Sequence, residues 1–236
     1  MRWFIYNWPK FAAITFVALA FIMGLWGRDR LDTITLILIY NFMALLAHQC
    51  EEYVLPGGVQ IVLNVMYGGK KEYDRYPGNT ANGALINVLG IAFFLAATIF
   101  PQAIWLGLAT MLFGFIELLV HGLPMNITSR SWYNPGLATS IFLFLPIGIY
   151  YITYVTSMGL LSGADWLRSA LTVVVAGAVI VGFNVRPQEV FAIIGPNGAG
   201  KTTVFNCISG FYQPSGGSVV LGGQSIAGQS SHQVAN

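Results

Sequence analysis

The chain has 236 residues, of which 56% are hydrophobic and 8% are charged, and its formal net charge at pH 7 is +2. Soluble domains carry roughly 25% charged residues, so this composition excludes an ordinary soluble domain. The mean hydropathy of +0.66 agrees with that exclusion. We therefore expect a multi-pass membrane protein surrounded by the lipid bilayer, and we predict no nucleic-acid partner.

Six apolar runs follow one another along the chain, each near the roughly 17–25 residues that cross a hydrocarbon core of about 30 Å. Arg2 and Lys10 precede the first run as in a signal peptide, but no small-residue cleavage site follows it, so we interpret this run as a retained helix. The predicted fold class is an α-helical membrane bundle of about six transmembrane helices. The runs are Phe11–Trp26, Thr33–Tyr53, Gly83–Phe100, Ala103–His121, Leu137–Val155 and Trp166–Gly182.

Lysine and arginine residues orient the predicted bundle, because cytoplasmic loops carry an excess of both. The side that holds the N-terminus collects the larger share, although Arg28 and Arg30 oppose this bias from the other side. We predict that the chain lies in the cell inner membrane with both termini in the cytoplasm. The basic residues on the cytoplasmic side would be Lys70, Lys71, Arg75, Arg130 and Arg186.

A cluster of ionisable residues lies inside the predicted helices. His48, Glu51 and Glu52 share one face near the end of the second helix, and Glu117 and His121 are spaced i, i+4 on the fourth. An ionisable side chain inside the membrane costs about 2.5–3.5 kcal/mol even on insertion scales. Because the second and fourth helices end on the same side of the membrane, we expect these five residues to meet.

Two interpretations of this cluster remain open. The first is a hydrogen-bonded or ion-paired network that holds helices together. The second is a metal site for an ion such as Zn²⁺ or Fe²⁺, since imidazole and carboxylate ligands suit both. The predicted metal ligands are His48, Glu52, Glu117 and His121, and the predicted catalytic residues are these four and Glu51. A carboxylate not used by the metal, Glu51 or Glu52, would act as general base.

Several asparagines flank the predicted helices. Asn134 precedes Pro135, and this pair predicts a helix N-terminus with the asparagine side chain as its cap. Asn79, Asn82 and Asn87 either cap the third helix or line a polar cavity.

The residues His48-x-x-Glu51-Glu52, Glu117-x-x-x-His121 and the segment from Tyr133 to Gly136 resemble the HxxEE family of small membrane proteins. The resemblance covers about residues 36–155. No established activity of that family carries over with it.

A phosphate-binding loop follows the last apolar run. Gly195 to Thr203 fits G-x-x-x-x-G-K-[ST] after an apolar strand over Val190–Ile194, and this pattern predicts ATP with Mg²⁺ on backbone N–H groups, a lysine and a threonine. We also expect a helix from Thr202 to Ser209. The predicted nucleotide-binding residues are Asn197, Gly198, Ala199, Gly200, Lys201, Thr202 and Thr203.

The segment 183–236 resembles the start of an ABC-transporter ATP-binding subunit, most closely the branched-chain amino-acid type. The resemblance implies that hydrolysis also needs a glutamine loop, an LSGGQ signature, a catalytic glutamate and a switch histidine, none of which follows here. We therefore expect a membrane domain over 1–182 and a truncated α/β P-loop fragment over 183–236 that does not hydrolyse ATP alone. An alternative assigns Leu171–Val181 to a strand of that fragment.

Two classes of function follow. One is an intramembrane metal-dependent hydrolase acting on a lipid or lipid-linked substrate. The other is an ABC-transporter component that binds ATP, with the polar cluster serving transport or helix packing.

Overall fold

The structure is a computed structural model, and it describes residues 2–27, 29–68, 79–185, 200–221 and 224–234. The chain divides into two compact units, Met1–Pro187 and Gln188–Asn236. The predicted domain boundary at residues 182 and 183 stays a prediction.

Helices make up almost all of the described part of the first unit. Among the described residues, six of them are long and apolar enough to cross a membrane, which confirms the predicted count. These spans are Trp3–Gly27, Thr33–Tyr53, Thr80–Ile99, Ile104–Ser129, Leu137–Ser157 and Gly163–Ile180.

The spans are built from α-helices and from three π-helical turns within the described residues. The π-helical turns are Met23–Gly27, His121–Met125 and Ser140–Phe144. The α-helices of the first unit are α1 (Arg2–Ile22), α2 (Thr33–Tyr53), α3 (Val59–Met66), α4 (Thr80–Ile99), α5 (Ile104–Val120), α6 (Asn126–Ser129), α7 (Leu137–Thr139), α8 (Leu145–Ser157) and α9 (Gly163–Val185).

Side-chain caps fix where the helices begin. The carboxylate of Asp32 accepts from the Thr35 N–H at 3.0 Å and so caps α2. The side chain of Asn79 accepts from the Asn82 N–H at 2.9 Å, which confirms the capping alternative for Asn79. Asp165 and Ser162 bond to each other's backbone N–H at the start of α9, the reciprocal arrangement of a capping box.

Helix α2 lies in the centre of the unit, packed against α1, α4, α5 and α8. One buried cluster joins it to α1 and α4 through Trp8, Phe42 and Phe94, and another joins it to α5 and α8 through Leu38, Leu108 and Tyr151. Glycines let α5 and α8 approach closely, because a Cβ at Gly107 would collide with the ring of Tyr151.

The last span is helical throughout, so the alternative that places Leu171–Val181 in a strand is wrong.

In the second unit, α10 covers Lys201–Ile208, which confirms the predicted helix within one residue at each end. The strands β1 (Val220–Leu221) and β2 (Gln224–Ser225) pair antiparallel, and the short α11 covers Ser231–Val234. The strand predicted over Val190–Ile194 lies outside the described residues, and the P-loop sheet stays a prediction.

Candidate metal centre

Four ionisable side chains converge where α2 and α5 end. His48 and Glu52 lie one turn apart near the end of α2, and Glu117 and His121 lie one turn apart across the end of α5. The exposed fraction of His48 is 3% and that of His121 is 0%. The structure therefore brings together the two pairs that the sequence singles out, in a place removed from water.

The imidazole nitrogens face the two carboxylates. Nε2 of His121 lies 3.4 Å from Oε1 of Glu52 and 3.6 Å from Oε2 of Glu117, and Nε2 of His48 lies 3.6 Å from the same Glu52 oxygen. His48, Glu117 and His121 offer one ligand atom each, all within 4.8 Å of one another. Ligand atoms about 2.1 Å from a tetrahedral ion lie about 3.4 Å apart, so a small inward movement suffices to enclose a metal.

The tautomer of His48 follows from its other nitrogen. Nδ1 lies 2.9 Å from Oγ1 of Thr139, and that hydroxyl donates to Oε2 of Glu51 at 2.6 Å. A hydroxyl has one proton to donate, and its hydrogen bond to a charged carboxylate is stronger than one to a neutral imidazole nitrogen. The Thr139 oxygen therefore accepts from Nδ1–H of His48, which leaves the lone pair of Nε2 directed into the cluster.

His121 is oriented in the same way by Asn134. Nδ1 lies 2.5 Å from Oδ1 of Asn134, whose amide nitrogen donates to the His121 carbonyl and to Oδ1 of Asn126, at 2.7 Å each. These two donations fix which end of the amide is oxygen, so His121 donates from Nδ1 and keeps its lone pair on Nε2. The prediction that Asn134 caps a helix is wrong, because α7 begins after Gly136 and Asn134 holds the imidazole instead.

The surroundings of Nε2 of His121, the nitrogen that faces the cluster, indicate whether a metal fits there. This nitrogen is buried and has no hydrogen-bond partner among the described residues, a rare condition for a buried polar atom. A lone pair that faces two carboxylates needs a cation between them. The donor set of two imidazole nitrogens and a carboxylate oxygen suits Zn²⁺ or Fe²⁺, and a proton on Nε2 would instead give the ion pairs of a helix lock.

Glu51 has different surroundings from the other two glutamates. Its carboxylate accepts from the Tyr133 hydroxyl at 2.9 Å, from the Ala138 and Thr139 N–H groups at 3.1 and 2.8 Å, and from the Thr139 hydroxyl. Two of these donors are free N–H groups at the start of α7. Glu51 thus ties the end of α2 to α7 and reaches the cluster only through Thr139 and His48.

Gly136 and the π-helical turns shape the site around His121. Gly136 has a φ of +107°, and a Cβ there would lie 2.7 Å from Nε2 of His121. The turn that contains His121 and the turn that ends at Phe144 both interrupt regular helix next to the cluster, and π-helical turns often occur at functional sites. The ring of Phe144 packs 5.2 Å from that of His48 and closes the apolar side.

Two tyrosines outside the spans border the site. Partial burial and donation to Glu51 raise the pKa of Tyr133 to about 12. Burial, together with the negative charge of Glu117, also raises the pKa of Tyr67. Both phenols therefore stay protonated at neutral pH and act as hydrogen-bond donors.

A cavity of about 490 Å³ opens beside the cluster. His48, Glu52 and Glu117 form part of its wall, and apolar side chains of α4, α5 and α9 form most of the rest. This volume is within the roughly 300–1,000 Å³ of ordinary ligand sites. A substrate with an apolar body could therefore place its polar end against the cluster.

The predicted nucleotide site is described only in part. Gly200 has a φ of +79° before α10, and Lys201, Thr202 and Thr203 form the first turn of that helix. Thr202 and Thr203 are exposed. Asn197, Gly198 and Ala199 lie outside the described residues.

Comparison with known proteins confirms both resemblances. The segment 39–151 matches the family model described as "Protein of unknown function with HXXEE motif", and 180–236 matches the model described as "ABC transporter". The chain thus joins a helical membrane segment carrying an HXXEE domain to an ABC-type fragment. No solved structure matches the chain.

The relatives of the C-terminal fragment are ATP-binding proteins. The high-affinity branched-chain amino acid transport ATP-binding protein LivG of Escherichia coli K12 is 53% identical over 55 residues, which are 23% of this chain and 22% of LivG. BraF of Pseudomonas aeruginosa, which has the same description, is 51% identical over 70 residues, which are 28% of each protein. The chain therefore spans only 22% to 28% of the length of these relatives.

Proposed function

We propose that the membrane unit is a metal-dependent hydrolase whose ion is held by His48, His121 and Glu117, with Glu52 as the general base. The observation that carries this proposal is the buried Nε2 of His121, which faces carboxylates and has no hydrogen-bond partner among the described residues. Two histidines and one glutamate form a known catalytic ligand set that leaves a position open.

The surrounding residues support this assignment of roles. Thr139 and Asn134 accept hydrogen bonds from the Nδ1–H groups of the two histidines, the arrangement usual for metal-bound imidazoles. Glu51 is occupied by four donors, so it serves as a positioning residue. Glu52 lines the cavity and is not one of the three residues whose ligand atoms lie within 4.8 Å of one another, which leaves it as the carboxylate to hold a proton. A bound divalent ion supplies Lewis-acid activation of water or of a carbonyl oxygen.

The test separates ligands from base in the purified full chain. We expect about one equivalent of a transition metal in the wild type, its loss in His121→Ala and His48→Ala, and its retention in Glu52→Gln. With p-nitrophenyl palmitate in detergent as the probe, we expect hydrolysis that is lost on chelation and lost in Glu52→Gln. Glu51→Gln should lower metal affinity without abolishing binding.

Two other outcomes would change this assignment, the first in favour of the helix lock. If the wild type holds no metal and its unfolding is unaffected by chelators, a proton on Nε2 shared with the carboxylates would be the better account of the cluster. Metal loss in Glu52→Gln would make Glu52 a fourth ligand, as the sequence alone predicted, and would remove it as the base.

The match to ABC ATP-binding proteins favours a second candidate, a transport component that binds ATP. Lys201 and the start of α10 would contact phosphate, with Mg²⁺ on Thr202. Binding of a fluorescent ATP analogue that is lost in Lys201→Ala would support this candidate, and equal binding in both would oppose it.

A further inference from the structure

The wall of the cavity carries a buried amide that the proposed reaction does not use. Gln49 lies on α2 one turn before Glu52, lines the cavity, and is 1% exposed. Its Nε2 donates to the carbonyl of Asn87 on α4 at 3.1 Å. Because that partner is an acceptor, the nitrogen of the amide is identified and the oxygen lies at the other end.

The amide oxygen of Gln49 is buried without a hydrogen-bond partner among the described residues. An unpaired buried acceptor is costly, and each such group in a native structure needs an explanation. Gln49 itself lines the cavity of about 490 Å³ and lies on the same helix face as Glu52. An occupant with an N–H or O–H group would satisfy it.

The rest of the cavity indicates an alkyl chain as the body of that occupant. The walls include Phe93 of α4, Ile116 of α5 and Val173, Ala176 and Ile180 of α9. At the edge, Val175 is 62% and Leu89 47% exposed. Since both residues lie in helices that we treat as membrane spans, this edge faces hydrocarbon, and an amphiphile can enter sideways from the bilayer.

We propose that the cavity takes a long-chain amphiphile that carries an N–H or O–H donor next to the group that reaches Glu52, and that Gln49 accepts a hydrogen bond from this donor. The inference rests on the proposed function for the identity of the reacting end. Gln49 is thus a specificity-determining residue. It selects molecules with a donor next to the reactive group over those with the same chain and no donor.

The first experiment measures binding of three tritiated probes to the full chain in detergent: N-methylpalmitamide, N,N-dimethylpalmitamide and methyl palmitate. They share one acyl chain, and only the first has a donor. We expect the first to bind about fivefold more tightly than the other two, the usual effect of one hydrogen bond. Equal binding of all three, or binding of none, would overturn the proposal, and equal binding is also what a water bound to Gln49 would give.

The second experiment compares Gln49→Met with Gln60→Met. Both glutamines line the cavity, but the Gln60 side chain donates to Asn79 and is not among the described side chains with a buried, unpaired atom. Gln49→Met should bind all three probes equally at the wild-type affinity for methyl palmitate, whereas Gln60→Met should keep the fivefold preference. If Gln49→Met still prefers N-methylpalmitamide, another group accepts from the N–H of the probe, and the proposal is overturned.

Metal content separates this inference from the proposed function. If the protein holds no metal but prefers N-methylpalmitamide, the binding site at Gln49 is supported and the proposed hydrolase is contradicted. Bound metal with no preference among the probes would do the reverse.

Discussion

The hydroxyl of Thr139 links Glu51 to His48, because it donates to the carboxylate of Glu51 at 2.6 Å and lies 2.9 Å from Nδ1 of His48. The two residues named by the HxxE spacing therefore cooperate through a third residue that lies 88 positions after Glu51 in the chain. Glu51 sets the direction of the Thr139 proton, and Thr139 in turn sets the tautomer of His48.

The first prediction removes this link. Thr139→Val keeps the branched shape and takes away the hydroxyl, so Nδ1–H of His48 loses its acceptor, and we expect metal affinity to fall about 10–100-fold. Competition with a chromogenic chelator measures it. Thr139→Ser should behave as the wild type, and Thr153→Val, at an exposed hydroxyl of α8, is the matched control. An unchanged affinity in Thr139→Val would show that the tautomer needs no help from Thr139.

The second prediction concerns the space beside His121. Gly136→Ala places a Cβ against the imidazole and at a φ of +107°, so we expect a loss of about 2 kcal/mol or more in the free energy of unfolding. Gly122→Ala is the control, since a Cβ there meets nothing within 4 Å. Denaturant titration of both variants measures the difference, and equal stabilities would contradict the packing described.

The third prediction concerns the cap of α2. Asp32→Ala removes the acceptor of the Thr35 N–H and should cost about 1 kcal/mol, whereas Asp29→Ala, in the preceding exposed turn, should cost little. The hydrogen bonds from Thr35 lower the pKa of Asp32 below 3.8. The cap therefore contributes stability above the unfolded pKa and loses it as pH falls through the folded value. The stability difference between wild type and Asp32→Ala should shrink below about pH 4, and a constant difference would argue against a charged cap.

The fourth prediction concerns membrane topology. With six spans and the predicted orientation, single cysteines at Lys70 and Arg130 should react with a membrane-impermeant maleimide only from the cytoplasmic side. Cysteines at Gln102 and Met158, which follow the third and fifth spans, should react only from the opposite side. The native Cys50 and Cys207 are first replaced by alanine. Labelling of the first pair from outside would reverse the orientation, and mixed sides within a pair would contradict the six spans.

The fifth prediction concerns nucleotide turnover. We expect no ATP hydrolysis by the purified chain, because it spans only 22% to 28% of the length of the ATP-binding proteins that it matches. Phosphate release is measured for the wild type and for Lys201→Ala. Release above background in the wild type and not in the variant would contradict this expectation.

The sequence predicted the spans well because each of them is a long apolar run. It also predicted the meeting of His48, Glu52, Glu117 and His121, since i, i+4 spacing and an even number of membrane crossings bring both pairs to one end of the bundle. The division of labour between Glu51 and Glu52 was not predictable, because adjacent residues of a helix differ by about 100° in direction and only the tertiary packing shows which neighbour each one faces.

Asn134 shows why local rules fail at such a place. An asparagine before a proline fits the sequence pattern of a helix N-cap. His121 lies thirteen positions earlier, and no regular helix spacing connects the two residues. The chain reverses through a π-helical turn and α6 between them. The amide oxygen of Asn134 therefore accepts from the imidazole of His121 and not from the N–H groups of a helix. Thr139 carried no signal in the sequence, because a hydroxyl inside an apolar run usually bonds to its own helix.

Helix α2 contacts three neighbours through side chains of its last turns: Gln49 bonds to α4, Glu51 and His48 bond to α7, and Glu52 faces His121 just after α5. A rotation or a shift of α2 along its axis would break all of these contacts at once, so this helix is fixed within the bundle. Any widening of the cavity to admit a molecule from the bilayer must therefore come from the helices that line it with apolar side chains, above all α9. The entrance and the reacting groups thus lie on separate elements, so changes in α9 should alter how fast a molecule enters and how its alkyl chain packs, without altering the contacts of its polar end.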